Sequence, residues 1–112
     1  MERVKLFHVK DFRNAAMNAL LGEAPNEFNE DEFTFMGTFT VKDKSAVYLL
    51  TNNIDEEWVL SNRIEQMIAE GLALLPEGLK QARSTSAGDA YVVDGKAYIL
   101  MGIGYKEVPI KK

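Results

Sequence analysis

Ala90-Tyr91-Val92-Val93-Asp94-Gly95-Lys96-Ala97-Tyr98-Ile99-Leu100 decides the fold. Branched and aromatic residues flank an Asp-Gly pair. That dipeptide is the strongest short-range hairpin signal, because a two-residue type I′ turn needs positive φ at both central positions. Strands are therefore expected near 89–94 and 97–103, with Asp94-Gly95 as the tip. Upstream, Arg83-Ser84-Thr85-Ser86-Ala87-Gly88-Asp89 reads as the turn that feeds the first of these strands, since short hydroxyl side chains bond nearby backbone groups. Arg83 and Asp89 bracket this loop and can pair across it. One reading makes Arg83, Ser84, Thr85 and Ser86 a fork and hydroxyls offered to an anion; the other, which the self-bonding habit of Ser, Thr and Asp favours, is a loop that caps itself. Downstream, Gly104-Tyr105 leads into Lys106-Glu107-Val108-Pro109-Ile110, a last extended segment that Pro109 confines to an edge or terminus.

Working outward, Val4-Lys5-Leu6-Phe7-His8-Val9 is short, branched and aromatic, and predicts a strand over 3–9. His8 has no neighbouring nucleophile or second ligand, so it reads as a strand residue. Asp11 stands where an N-cap belongs. Phe12, Ala15, Ala16, Ala19 and Leu20 recur at helical spacing, and Gly22 and Pro25 supply stops, so a helix is expected over 11–21. Phe33-Thr34-Phe35-Met36-Gly37-Thr38-Phe39-Thr40-Val41 alternates apolar and polar, which predicts a strand with Phe33, Phe35, Gly37, Phe39 and Val41 on one face. Residues 42–53 fit either a strand or a short helix with Ala46, Val47, Leu50 and Ile54 buried. From Asp55 onward the helical pattern is stronger: Asp55, Glu56 and Glu57 at its start, then a stripe of Leu60, Ile64, Met67, Ile68 and Leu72, predict a helix over 55–70. Trp58 falls off the centre of that stripe, at a core edge or partly exposed as a contact residue.

The expectation is one α+β domain over residues 1–112, an antiparallel sheet with a C-terminal β-hairpin packed against two or three helices. At 112 residues and 46% hydrophobic content the chain suits one core. It has no cysteine, which removes disulfides, thiolate metal sites and cysteine nucleophiles, and fits a reducing, cytoplasmic setting. No apolar run approaches the roughly 18–20 residues of a membrane span, and the first residues lead into a strand pattern and not a signal-peptide core. Thirteen Lys and Arg against seventeen Asp and Glu give a net charge of −4, which argues against broad phosphate-backbone binding and hence against nucleic acid as partner.

No Ser-His-Asp order, metal-ligand cluster or glycine-rich phosphate loop is present, so no catalytic residue, metal or cofactor is assigned. The acidic loop Glu27, Phe28, Asn29, Glu30, Asp31, Glu32 lacks the ligand spacing and central glycine of a calcium loop. It reads as a solvated face, or as a phosphate-mimicking surface for a basic partner.

Two clusters carry a family resemblance. The run from Arg83 to Asp89, then Asp94-Gly95, Tyr98 and Gly104-Tyr105, resembles the C-terminal signature of small YodL-like proteins of phages, plasmids and related mobile elements: Arg-Ser-x-Ser-Val-Gly-Asp, Asp-Gly, an aromatic, and Gly-Phe. Thr51-Asn52-Asn53-Ile54-Asp55, with Trp58 three residues on, is similar to a Thr-Asn-x-Ile-Asp-x-x-Trp element of some members. Ala87 stands in place of Val, Tyr105 in place of Phe, and the stretch from Trp58 to Arg83 is longer and more helical than in many relatives. The resemblance implies a helix before the Thr-Asn element, hence over 43–52, and carries over no catalytic residue. It implies an accessory protein in a bacterial host's cytoplasm. From this follows the expectation of a non-catalytic protein that binds and modulates a host protein, in host takeover or anti-defence. The alternative is a small-ligand or nucleic-acid-binding module using the 83–89 loop.

The Thr51–Trp58 and Arg83–Asp89 elements also form a candidate pair. In the structural reading, Asn52 and Asp55 cap the long helix while Arg83 and Asp89 fasten the loop beside it. In the other, Trp58 and Arg83 form a shared contact surface, two residue types enriched at binding hot spots. The structural reading is preferred, with the contact surface placed on the acidic loop.

Overall fold

Strand β1 (Glu2–Val9) is the axis of the molecule, because it carries apolar side chains on both faces and so needs cover on both. In this computed structural model, which describes residues 1–54 and 56–112, it lies between β2 (Phe33–Val41) and β4 (Ala90–Val93). With β3 (Ala73–Leu74), β5 (Lys96–Leu100) and β6 (Tyr105–Val108) they form one antiparallel sheet of order β3-β2-β1-β4-β5-β6.

The Asp94-Gly95 hairpin joins β4 to β5, with φ of 51° and 76° at the two tip residues, as a type I′ turn demands. Strand β5 ends sooner than the expected 103. Met101 N–H donates to Gly104 O (3.0 Å), and the chain doubles back into β6, a second hairpin whose strand runs at the sheet edge just before Pro109.

The alternation read in β2 is interrupted. Leu6 pairs with Gly37 but Phe7 pairs with Phe35, so Met36 is an extra residue, a β-bulge. The five residues expected on one face are thereby divided. Phe33 and Phe35 turn to the face of Phe7 and Val9, while Met36, Phe39 and Val41 pack with Val4 and Leu6. Gly37 follows the bulged residue with a φ of +146°, and a Cβ there would lie 2.8 Å from Leu75 Cδ2 and 3.1 Å from Leu74 O, so any other residue would be strained.

Helices α2 (Ser45–Leu50) and α3 (Asn62–Ala69) cover the first face through Val47 and Ile64, and the turn between them adds Trp58 and Val59. The assignment of 43–52 to helix is thus the one observed. On the other face, α1 (Phe12–Leu20) and the segment around Phe28 cover Phe7, Val9, Ala90 and Ile99. Asp11 occupies the N-cap of α1, but its carboxylate accepts from the Asn14 side chain (2.9 Å) and not from a backbone N–H.

The long helix expected over 55–70 is shorter. A 3₁₀ turn at Trp58–Leu60 comes first, Ser61 is extended, and its hydroxyl accepts from Ile64 N–H (3.2 Å) to cap α3. Leu60, placed in the buried stripe, is therefore exposed, and Asn52 caps no helix. Asp55, the other expected cap, lies outside the described residues.

Candidate functional site

The two sequence clusters meet at one end of the sheet. Asp89, which immediately precedes β4, is 0% exposed and receives a two-pronged ion pair from Arg83, with Nη1 to Oδ2 and Nη2 to Oδ1 both at 2.7 Å. Backbone N–H groups of Val9 (2.9 Å) and Ser86 (2.8 Å) donate to the same carboxylate. Four donors satisfy a buried anion, and the parallel fork geometry is the strongest form of Arg–carboxylate contact. Arg83 also donates to Ser84 O (3.0 Å) and Val9 O (3.3 Å), and its guanidinium carbon sits 4.1 Å from the centre of the Phe12 ring. The loop thus joins β1, α1 and β4. Gly88 makes the approach possible: its φ is +95°, and a Cβ there would come within 2.9 Å of the Ala15 carbonyl carbon.

The Thr51–Trp58 cluster locks onto the same loop. Thr85 N–H donates to Thr51 O (2.9 Å), Asn53 N–H to Ser84 Oγ (2.8 Å), and the Asn53 side-chain amide to Ala82 O (2.7 Å). Asn53 Oδ1 accepts from Trp58 N–H (2.7 Å), and Trp58 Nε1–H donates to Arg83 O (3.0 Å). Ser84 Oγ–H donates to Asn52 Oδ1 at 3.4 Å, and Glu57 Oε1 accepts from Ala82 N–H (2.9 Å). Trp58 itself is 1% exposed, with its ring 6.3 Å from that of Phe39. It is a core residue with a satisfied indole N–H.

A line of three side chains, not singled out in the sequence as a group, runs beneath the loop. Thr51 Oγ1–H donates to Val47 O (2.7 Å), so Thr51 accepts from Thr85 Oγ1 (2.7 Å), and Thr85 in turn accepts from His8 Nε2–H (2.9 Å). Every proton is fixed in direction by the terminal carbonyl, which makes His8 the Nε2–H tautomer. Burial lowers the His8 pKa to about 4; Asp89, 3.9 Å away, opposes that shift and the Arg83 charge adds to it. The available signal was the pair of threonines inside two motifs, but their spacing of 34 residues gives no sequence cue that they touch.

Other polar groups stand apart from this hub. Tyr91 on β4 is buried with a hydroxyl that has no hydrogen-bond partner among the described residues, and desolvation first, then the nearby Tyr105, pushes its pKa upward. Tyr105 follows the positive-φ Gly104 and packs 5.6 Å from Tyr91, with Lys44 Nζ 5.3 Å above its ring. Ser86 lies at the margin of a shallow hollow formed with Tyr48, Leu100 and Tyr105.

The acidic loop lies on the opposite face of the sheet from Trp58. Phe28 is buried, its N–H donates to Pro109 O (2.8 Å), and Lys111 N–H donates to Phe28 O (2.9 Å). Asn29 Oδ1 accepts from Asp31 N–H (3.1 Å) and caps the 3₁₀ turn Glu30–Glu32. Lys10 holds the turn from outside, through its N–H to Glu32 O and its Nζ to Asp31 O (both 3.0 Å). Glu27, Glu30, Asp31 and Glu32 are exposed, and among the described residues none of them forms an ion pair.

No protein-family model, curated protein or solved structure matches the chain. Among the described residues, no helix is long and apolar enough to cross a membrane, and no three His, Asp or Glu side chains gather as a metal-holding group.

Proposed function

We propose that this protein is a non-catalytic accessory factor of a phage or mobile element that binds and modulates a bacterial host protein, using the acidic loop 27–32 as its contact surface. The observation that carries this reading is the loop's construction: four exposed carboxylates without ion-pair partners among the described residues, on a turn pinned by the buried Phe28 and capped by Asn29. A pre-ordered loop loses little entropy on binding, and unpaired surface carboxylates steer a basic partner toward it. The inward bonding of Arg83, Ser84 and Asp89 supports the non-catalytic part of the reading. The fork that an anion would need is occupied by Asp89, and Trp58 is too buried to anchor a partner. The phage or mobile-element setting rests on the YodL-like resemblance.

The test is capture from bacterial lysate with tagged protein, followed by mass spectrometry. Wild type should retain one stoichiometric host protein, and the quadruple variant E27Q/E30Q/D31N/E32Q should lose it while melting at the wild-type temperature. Capture unaffected by the four neutralisations would reject the loop as the surface. A co-purifying small molecule or nucleic acid that is lost on Arg83→Ala would replace this reading with that of a ligand-binding module.

A further inference from the structure

Beside the acidic loop, a groove of about 280 Å³ opens between α1 and the segment that leads into β2. Its floor is apolar, made by Val9, Ala15, Ala19, Phe33 and Ile99. Its walls carry four carboxylates, Asp11, Glu23, Glu27 and Glu32, and among the described residues no Lys or Arg lines it. Asn14 and Asn18, one turn apart on α1, complete one wall. That helix has no basic residue in its last turn, so no cation there offsets the wall carboxylates. Of the four carboxylates, among the described residues Asp11 and Glu32 accept one bond each, from Asn14 (2.9 Å) and Asn29 (3.3 Å), whereas Glu23 and Glu27 accept none.

We infer that this groove seats a lysine side chain from a basic segment of the partner, its methylene stem on the apolar floor and its ammonium between the wall carboxylates. The inference rests on the acidic-loop reading and deepens it by naming the partner's chemistry. Both ends of a lysine are matched: the stem buries well against apolar surface, and the head keeps company with carboxylates at the rim. A peptide is favoured over a free amine because the acidic surface continues past the groove. Glu30 and Asp31 lie on the adjoining 3₁₀ turn, outside the lining, where further basic residues of the same segment would reach them.

Binding of fluorescein-labelled hexalysine, followed by anisotropy in 150 mM salt with spermidine as competitor, tests this. The exposed Asn18→Trp change fills the groove, E23Q/E27Q neutralises the two walls with no internal bonds, and E30Q/D31N alters only the neighbouring turn. Wild type should bind the peptide, with N18W and E23Q/E27Q each weakening it about tenfold or more and E30Q/D31N about threefold or less. Equal losses from both charge pairs, with no effect of N18W, would mean diffuse attraction and overturn the groove. Spermidine binding as tightly as hexalysine would overturn the peptide as occupant. Absence of hexalysine binding would also overturn the groove, yet lysate capture that still depends on Glu30 and Asp31 would leave the acidic-loop reading standing. N18W-sensitive self-association in sedimentation would assign the groove to a second copy and overturn the inference.

Discussion

His8 shows how much one position owes to its neighbours. Its chemistry is that of an ordinary strand residue until Thr85 and Thr51 close the line to Val47 O, which requires a proton on Nε2, while burial keeps the imidazole neutral. The folded pKa of about 4 lies below the ordinary 6.5, so on acidification the unfolded chain takes up the proton first. The stabilisation from neutral His8 is therefore complete above about pH 6.5 and is lost as the pH falls through 4, amounting to about 3 kcal/mol at most. Urea unfolding across this window should show stability rising from pH 4 to 6.5. His8→Gln, which keeps an amide donor for Thr85 and does not titrate, should flatten that slope. An unchanged slope in the variant would show that other groups carry it.

At the scale of elements, the hairpin and the bulge rest on opposite kinds of information. Asp94-Gly95 is local: both residues take positive φ, and the space around Gly95 is open, so only backbone conformation constrains it. Gly95→Val should destabilise the protein by roughly 1 kcal/mol or more, since a β-branched residue resists this region, and thermal melting would register it. Unaltered melting would count against the type I′ tip. The bulge at Met36 is non-local. Nothing in the alternation of 33–41 announces an extra residue; the need arises because β1 presents Leu6 to one core and Phe7 to the other, and β2 must supply partners to both. The shortening of the helix over 55–70 has the same origin. Ser61 capping competes with continuation, and the packing of Trp58 under the 82–84 segment favours the break.

For the molecule as a whole, the Arg83–Asp89 pair is the junction at which β1, α1, β4 and the Thr51–Trp58 segment are tied together. Removing Arg83 leaves the Asp89 carboxylate buried with two backbone donors and no countercharge. Arg83→Met is expected to cost about 3 kcal/mol in chemical denaturation. The double variant R83M/D89N should cost clearly less than the sum of the single changes, because each single change strands the other partner. Additive losses would mean that the two residues stabilise the fold independently.

The sequence by itself determined the features that depend on neighbours along the chain. The α+β class, the strand over 33–41, the helix over 11–21 and the Asp-Gly tip all follow from periodicity, capping and turn chemistry acting over a few residues. It also exposed the polar motifs at 51–58 and 83–89, without their mutual contact. Only the tertiary structure decided that Asn53 and not Asn52 organises the first motif, that His8 joins Thr85 and Thr51, and that Trp58 is core. The same holds for the groove between α1 and the acidic loop. The physical reason is common to all of them. Burial removes water as a partner, and each polar group must then be satisfied by whichever group the fold brings near, at sequence separations over which no local pattern reaches.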